Sequence, residues 1–230
     1  MLFGISWDLS NNTLFAWSIL PILWQGLIVT LQATIIGFLF ASFFGLILSI
    51  LKSSQNPWLS MPVKLISEFL RDTPLLIQVF FLYYVLPEYG LVFPAFLTGA
   101  LAIGLQYSAY LSEVYRAGIE SVSKGQIEAA KALDISKYRL FSIIILPQAI
   151  PRIIPALGNY LVSIMKDVPI LSVVSILEIL SVAKIIGDRS FNYIVPLSLV
   201  GLIYLIMTLI SAWFIKRLEQ KLPQEGIHLS

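Results

Sequence analysis

The chain has 230 residues, of which 58% are hydrophobic and only 12% charged, about half the usual share of roughly 25% in soluble domains. Its 15 basic and 13 acidic residues leave a net charge of +2, which points to no charged partner. A mean hydropathy of +0.87 excludes a soluble globular domain, a disordered segment and a nucleic-acid binder, because a chain this apolar needs lipid as its solvent. With no cysteine and a single histidine, His228, disulfide scaffolds, thiolate or histidine metal clusters, cysteine nucleophiles and Ser–His catalysis are also excluded. No metal or cofactor is expected.

Residues 1–13 carry Asp8 and no basic residue, and so do not read as a signal peptide, which would begin with positive charge. A membrane span needs about 20 apolar residues. Five blocks qualify, at about residues 21–51, 63–86, 91–114, 150–180 and 193–215. The fold class is therefore all-α: a single polytopic membrane domain with five transmembrane helices. The fourth block is interrupted at Lys166-Asp167-Val168-Pro169 and reads either as one span with a kink near 167–169 or as two segments. Charge favours the first reading, since cytoplasmic loops are enriched in Lys and Arg. With five spans, the amino end outside and the carboxyl end cytoplasmic, every Lys and Arg except Lys166, Lys184 and Arg189 lies at or near the inner face. A sixth span would move Lys216, Arg217 and Lys221 outside.

In the first span Ala33, Gly37, Ala41, Gly45 and Ser49 recur every four residues, the pattern of close helix contact. They form a spiral track for packing within the bundle or against another subunit. The longest polar stretch, about residues 115–147, is cytoplasmic in this topology. It holds strong helix formers over 126–133, and Pro147, Pro151 and Pro155 mark the return into the membrane.

No phosphate-cradling G-x-x-x-x-G-K-[ST] loop is present, so the chain is not expected to hydrolyse ATP itself. Ionisable residues in or near spans are the candidate functional positions. Lys166 and Asp167 stand beside Pro169 in an otherwise apolar stretch. Proline there obstructs the helical turn before it, and broken helices at depth are where transporters bind polar substrates. The alternative is a charge pair that stabilises the kink. Glu68, Arg71 and Asp72, followed by Thr73-Pro74, open the second span as a functional group or an interfacial charge network. Glu113 and Arg116 are three apart, which suits a structural ion pair on one helix. Glu178, near the outer face, is expected to be solvated or to meet a docking protein.

The stretch Glu128-Ala-Ala-Lys-Ala-Leu-Asp134, with Phe141 and Ile145-Leu-Pro147-Gln-Ala149, resembles the EAA loop of binding-protein-dependent ABC importer permeases. The resemblance implies short cytoplasmic helices seated in a groove of an ATPase subunit, with Glu128, Ala129, Ala130, Asp134 and Pro147 as the coupling residues. Asp134 stands where that family usually has Gly; Asp tolerates turn conformations, so the loop is expected to survive. Further matches narrow the likeness to the polar amino acid permeases of the histidine/glutamine type. They are Gln25-Gly-Leu-Ile-Val-Thr-Leu31, Glu68-Phe-Leu-Arg71-Asp-Thr-Pro-Leu-Leu76, Tyr110-Leu-Ser-Glu113-Val-Tyr-Arg116-Ala-Gly-Ile119 and Lys166-Asp-Val-Pro-Ile-Leu-Ser172. Residues 149–161 and 195–201 look most like the ectoine/hydroxyectoine permease subunits.

The resemblance implies a bacterial inner-membrane permease, not an enzyme, in a binding-protein-dependent importer of a polar amino acid or compatible solute, ectoine or hydroxyectoine favoured. Its expected partners are two copies of an ABC ATPase, a second permease subunit, homologous or identical, an extracytoplasmic solute-binding protein and the lipid bilayer, with no nucleic acid. Lys166, Asp167, Ser172, Arg71 and Thr73 are the expected substrate path. The alternatives are an ion-gradient-driven secondary transporter of a small zwitterion, which would often show internal repeats, and a non-transporting membrane scaffold, against which the charges at depth argue.

Overall fold

The structure is a computed structural model that describes residues 11–222; Asp8 and His228 lie outside the described residues. It is all-helical. Helix α1 (Asn12–Lys52) starts where the Asn11 side chain accepts from the Thr13 amide, earlier than the expected first span, and tolerates Pro21 inside it. At 41 residues it is about 60 Å long. Helix α2 (Pro57–Asp72) is capped by Asn56. Helix α3 (Leu75–Phe80) continues through a π-helical turn, Phe81–Val85, and a 3₁₀ turn, Leu86–Tyr89. Helix α4 spans Ala95–Glu120, six residues past the expected end of the third span.

Two short helices come next, α5 (Lys124–Ala132) and α6 (Lys137–Arg139), then a π turn at Leu140–Ile145. Helix α7 (Leu146–Asp167) passes into a 3₁₀ turn at Val168–Val174. Helix α8 (Ile179–Ser190) and helix α9 (Ile194–Lys221) complete the chain.

Among the described residues, three helical stretches are long and apolar enough to cross a membrane: Asn12–Lys52, Lys137–Val174 and Ile194–Lys221. The bent pair Pro57–Asp72 and Leu75–Tyr89 makes a fourth if taken as one span. Helix α4 is not among them. Gln106, Ser108 and Ser112 lower its apolarity, and all three are buried inside the protein.

The second span departs from expectation. Residues 63–86 are not one helix: the axis turns by 105° between α2 and α3. The cause is Thr73-Pro74. Proline disfavours the helical conformation of the residue before it, and Thr73 is extended, with ψ 131°. At Lys166–Pro169 the fourth span stays helical, passing from α to 3₁₀ geometry within one stretch from Lys137 to Val174, and the segment beyond it is helical as well. Residues 179–190 form α8, which runs antiparallel along the first half of α1. The Ile179 amide donates to Thr30 Oγ1 at 3.2 Å, and Asn192 Nδ2 to Asn12 Oδ1 at 3.3 Å. Its apolar positions Ile179, Val182, Ala183 and Ile186 keep helical spacing and are buried. Glu178 is corrected as well. It is 0% exposed, and its carboxylate caps α8 by accepting from the Leu180 and Ser181 amides. The first amides of a helix have no partner within it, and Glu178 supplies one.

The small-residue track on α1 packs within the chain. Ala33, Gly37, Ala41, Gly45 and Ser49 are all buried. A Cβ on Gly37 would lie 2.8 Å from Ile103, and one on Gly45 3.0 Å from Leu111. Contacts that advance together along both helices mean that α1 and α4 run parallel, so the chain must cross back between them through α2 and α3. One apolar core joins α1, α3, α4, α7 and the 3₁₀ turn around Ile103, Leu111, Ile164 and Leu171. A second joins the first half of α1 to α8 and α9 around Ile19, Leu23, Ile179 and Ile186.

Candidate permeation site and coupling loop

The break between α2 and α3 and the α-to-3₁₀ junction after α7 meet on a single turn of α4. Gln106 Nε2 donates to the Thr73 carbonyl at 3.2 Å, and the Tyr110 hydroxyl to the Arg71 carbonyl at 3.2 Å. Between them in sequence, the Tyr107 hydroxyl donates to Asp167 Oδ2 at 2.7 Å. Gln78 Nε2 reaches back to the Leu70 and Thr73 carbonyls at 2.7 and 3.1 Å. Backbone groups freed at a break in lipid must be satisfied from inside the protein, and two glutamine amides do this for the α2–α3 break. Tyr107, Tyr110 and Tyr160 gather around the junction after α7, with ring centroids 5.8 to 6.2 Å apart.

Of the expected path residues, Asp167 meets this turn through its side chain, whereas Arg71 and Thr73 reach it only through their backbone carbonyls; the Thr73 hydroxyl bonds back to the Phe69 carbonyl, and the Arg71 side chain lines a cleft with Lys52 and Glu113. Ser172 sits in the 3₁₀ turn, its carbonyl accepting from Ser175 at 3.1 Å. Lys166 does not join them. It is exposed while Asp167 is half-buried, and the two make no ion pair. Successive helical side chains diverge by about 100°, so Asp167 turns toward α4 and Lys166 away from it. Gln78, Gln106, Tyr107, Tyr110 and Tyr160 are additions from the structure. The signal in sequence was glutamine within apolar runs, since a buried amide in a membrane helix needs a partner.

The ionic network lies toward the carboxyl ends of α1 and α4. Glu113 accepts from Lys52 at 2.9 Å and from Arg116 at 2.7 Å, and Arg116 also donates to Glu120 at 2.7 Å. The expected Glu113–Arg116 pair is thus part of a larger cluster, into which α1 contributes Lys52, 8% exposed, with a further bond to Ser112 at 2.8 Å.

The loop from α5 to α7 is anchored by buried Val122, Ala130 and Leu140. Glu128, Ala129, Asp134 and Pro147 are exposed; Ala130 faces inward. Leu133 and Tyr138 are 75% and 81% exposed. Asp134 takes φ 52°, the left-handed position that closes helix α5. The Ile135 amide bonds to the Ala130 carbonyl and the Asp134 amide to the Lys131 carbonyl, both at 3.0 Å. This is the Schellman closure usually made with glycine. The loop is tied to α7 by Gln148, which donates to Gln126 at 2.5 Å, and to the end of α4 by Arg152, which donates to the Ser121 carbonyl at 2.6 Å.

The family profile described as binding-protein-dependent transport system inner membrane component matches residues 41–224. The chain belongs to this permease family. A probable amino-acid ABC transporter permease protein, y4tG, of Sinorhizobium fredii is 59% identical to the permease over 230 residues, covering 100% of both chains. A putative glutamine transport system permease protein, GlnP, of Rickettsia conorii is 37% identical, covering 86% of this chain and 91% of its own. A solved amino acid ABC transporter, crystallised with histidines, superposes with a TM-score of 0.84 at 34% identity, covering 88% of this chain and 94% of its own. The permease is therefore the membrane subunit of an amino-acid ABC importer and a multi-pass inner-membrane protein. It is not itself an enzyme; permeases of this kind work with ATPase subunits and binding proteins.

Proposed function

We propose that the permease lines the import path for a polar amino acid as one of two such subunits, the second homologous or identical, driven by two ATPase copies. The chain forms one transmembrane domain with five spans, the amino end outside and the carboxyl end cytoplasmic. The parallel run of α1 and α4 supports the count, because it requires a crossing between them. The gathering of basic residues toward one end of the bundle supports the orientation.

The observation that carries the path is the α4 turn from Gln106 to Tyr110, bonded to the α2–α3 break and to the end of α7. Asp167 Oδ1 remains available to accept an ammonium group; Thr73 and Ser172 stand along the same path, to which Arg71 contributes its backbone carbonyl. Lys166, exposed on α7, faces a partner subunit or the path between subunits and meets the substrate carboxylate. Ectoine or hydroxyectoine is the substrate that residues 149–161 and 195–201 favour; the names of the relatives speak instead of amino acids and glutamine.

The ATPase receives residues 126–140. Glu128 is the coupling contact, Ala129 allows close approach, Ala130 anchors α5, Asp134 closes it, and Pro147 starts α7, which receives the push. When the ATPase closes, this segment moves with it and rocks α7. A pull-down of the tagged chain from its native membrane in mild detergent, with mass spectrometry, tests the assembly. Recovery of an ATPase and a second permease is the expected result; recovery of the chain alone in several detergents would move the reading to an ion-driven transporter. Glu128→Arg should abolish uptake while leaving the protein in the membrane. Unchanged uptake would remove Glu128 from the coupling role.

A further inference from the structure

Helix α2 borders a cleft of about 580 Å³ whose far wall is the Lys52–Glu113–Arg116–Glu120 network. That far wall is internally matched, each charge bonded to another. The α2 wall is not. Lys64, Glu68 and Arg71 stand about one helical turn apart on the same side of α2 and line the cleft. Lys64 and Glu68 are exposed and make no ion pair among the described residues, with each other or across the cleft. Arg71 has only Asp72, at 3.7 Å. Among the described residues the cleft therefore presents Lys64 and Glu68 without an ion-pair partner, and Arg71 held only by a long 3.7 Å pair with Asp72. Just past Glu68 around the helix, Met61, Leu65 and Phe69 form an apolar ridge, and all three are more than half exposed. Charges that ask for a zwitterionic group, continuous with a surface that asks for hydrocarbon, describe a ligand with a polar head and an acyl tail.

We propose that this cleft binds the headgroup of a phosphatidylethanolamine molecule. Lys64 and Arg71 take the phosphodiester, Glu68 takes the ammonium, and the acyl chains lie over Met61, Leu65 and Phe69. That the lipid belongs to the inner leaflet rests on the orientation proposed above; the chemistry of the cleft does not. Labelling a single cysteine introduced as Ser54→Cys into this cysteine-free chain reports orientation separately, so the two readings fail independently.

The test is native mass spectrometry of the purified permease, with the subunits that accompany it, after exchange into nanodiscs of phosphatidylethanolamine, phosphatidylglycerol and phosphatidylcholine. The wild type should retain phosphatidylethanolamine in preference to the other two. Lys64→Met with Arg71→Met should lower its retention by about tenfold, the scale of losing charge-assisted hydrogen bonds, and Lys64→Arg should preserve it. Glu68→Gln should keep phospholipid binding but lose the preference for phosphatidylethanolamine over phosphatidylglycerol. Equal retention by the wild type and the double variant overturns the proposal. So does displacement of the lipid by millimolar free glycine, which would make the cleft a site for a soluble zwitterion.

Discussion

Lys52 and Glu113 lie 61 positions apart in sequence and 2.9 Å apart in space, where α1 meets α4. Glu113 is also the acceptor for Arg116, so one carboxylate neutralises a lysine from one helix and an arginine from the next turn of its own. Removing the carboxylate leaves Lys52, almost fully buried, with only a serine hydroxyl.

Glu113→Ala should therefore destabilise the permease by about 1–3 kcal/mol. That is less than a fully enclosed pair would lose, because Glu113 keeps partial solvent contact. The double variant Lys52→Met, Glu113→Leu should recover most of the loss. Thermal unfolding in detergent checks both; a double variant no better than Glu113→Ala would mean that the loss does not come from leaving Lys52 buried without its carboxylate.

The α1–α4 contact sets a second expectation. A Cβ on Gly104 would come within 2.6 Å of the Phe40 Cβ, which is fixed to its backbone, whereas one on Gly201 would meet nothing within 4 Å. Gly104→Ala should cost about 1–3 kcal/mol through overpacking. Gly201→Ala should stay within about 0.5 kcal/mol of the parent or improve on it. The same unfolding assay compares them, and equal behaviour would contradict the close approach of α1 and α4.

Asp134 closes α5 in the left-handed region, where a β-branched residue fits poorly. Asp134→Gly should be tolerated. Asp134→Val should strain the closure by about 1–2 kcal/mol and weaken retention of the ATPase in a pull-down. Full retention by the valine variant would show that the ATPase does not read the shape of this turn.

Tyr107→Phe removes the hydroxyl that orients Asp167 while keeping the ring in its cluster. A hydrogen bond to a charged group contributes about 1.5–3 kcal/mol, so the apparent KM for uptake should rise by about tenfold or more with maximal uptake largely kept. Asp167→Asn should impair uptake more severely. Loss of maximal uptake at unchanged KM in Tyr107→Phe would assign the tyrosine to the fold and not to the path.

How much was legible in the sequence depends on the quantity each signal measures. Long apolar blocks mark membrane helices, and the change from α to 3₁₀ geometry at Val168 falls where charge and proline coincide in the sequence. The break at Pro74 was legible by the same rule, yet the apolar run beyond Leu75 masked it as one continuous span. Helix α8 fell between the fourth and fifth expected spans because Lys184, Asp188 and Arg189 dominate a hydropathy window, although Val182, Ala183 and Ile186 keep helical spacing. Glu178 read as solvated or as a docking contact for the same reason; packing within the chain buries it instead. The meeting of Asp167 with Tyr107, 60 positions apart, has no local signature at all. Nor could adjacency in sequence reveal that Lys166 and Asp167 face different ways.

On the function proposed above, this permease moves its substrate only when an ATPase pushes its cytoplasmic loop. The most direct test is uptake of labelled ectoine and of labelled glutamine, each supplied separately, by proteoliposomes that contain the permease with its co-purified subunits and binding protein, read on whichever solute is taken up. Uptake should require enclosed ATP, persist when ionophores collapse every ion gradient, and vanish in the Glu128→Arg variant. Uptake that proceeds without ATP and stops with the ionophore would contradict the account.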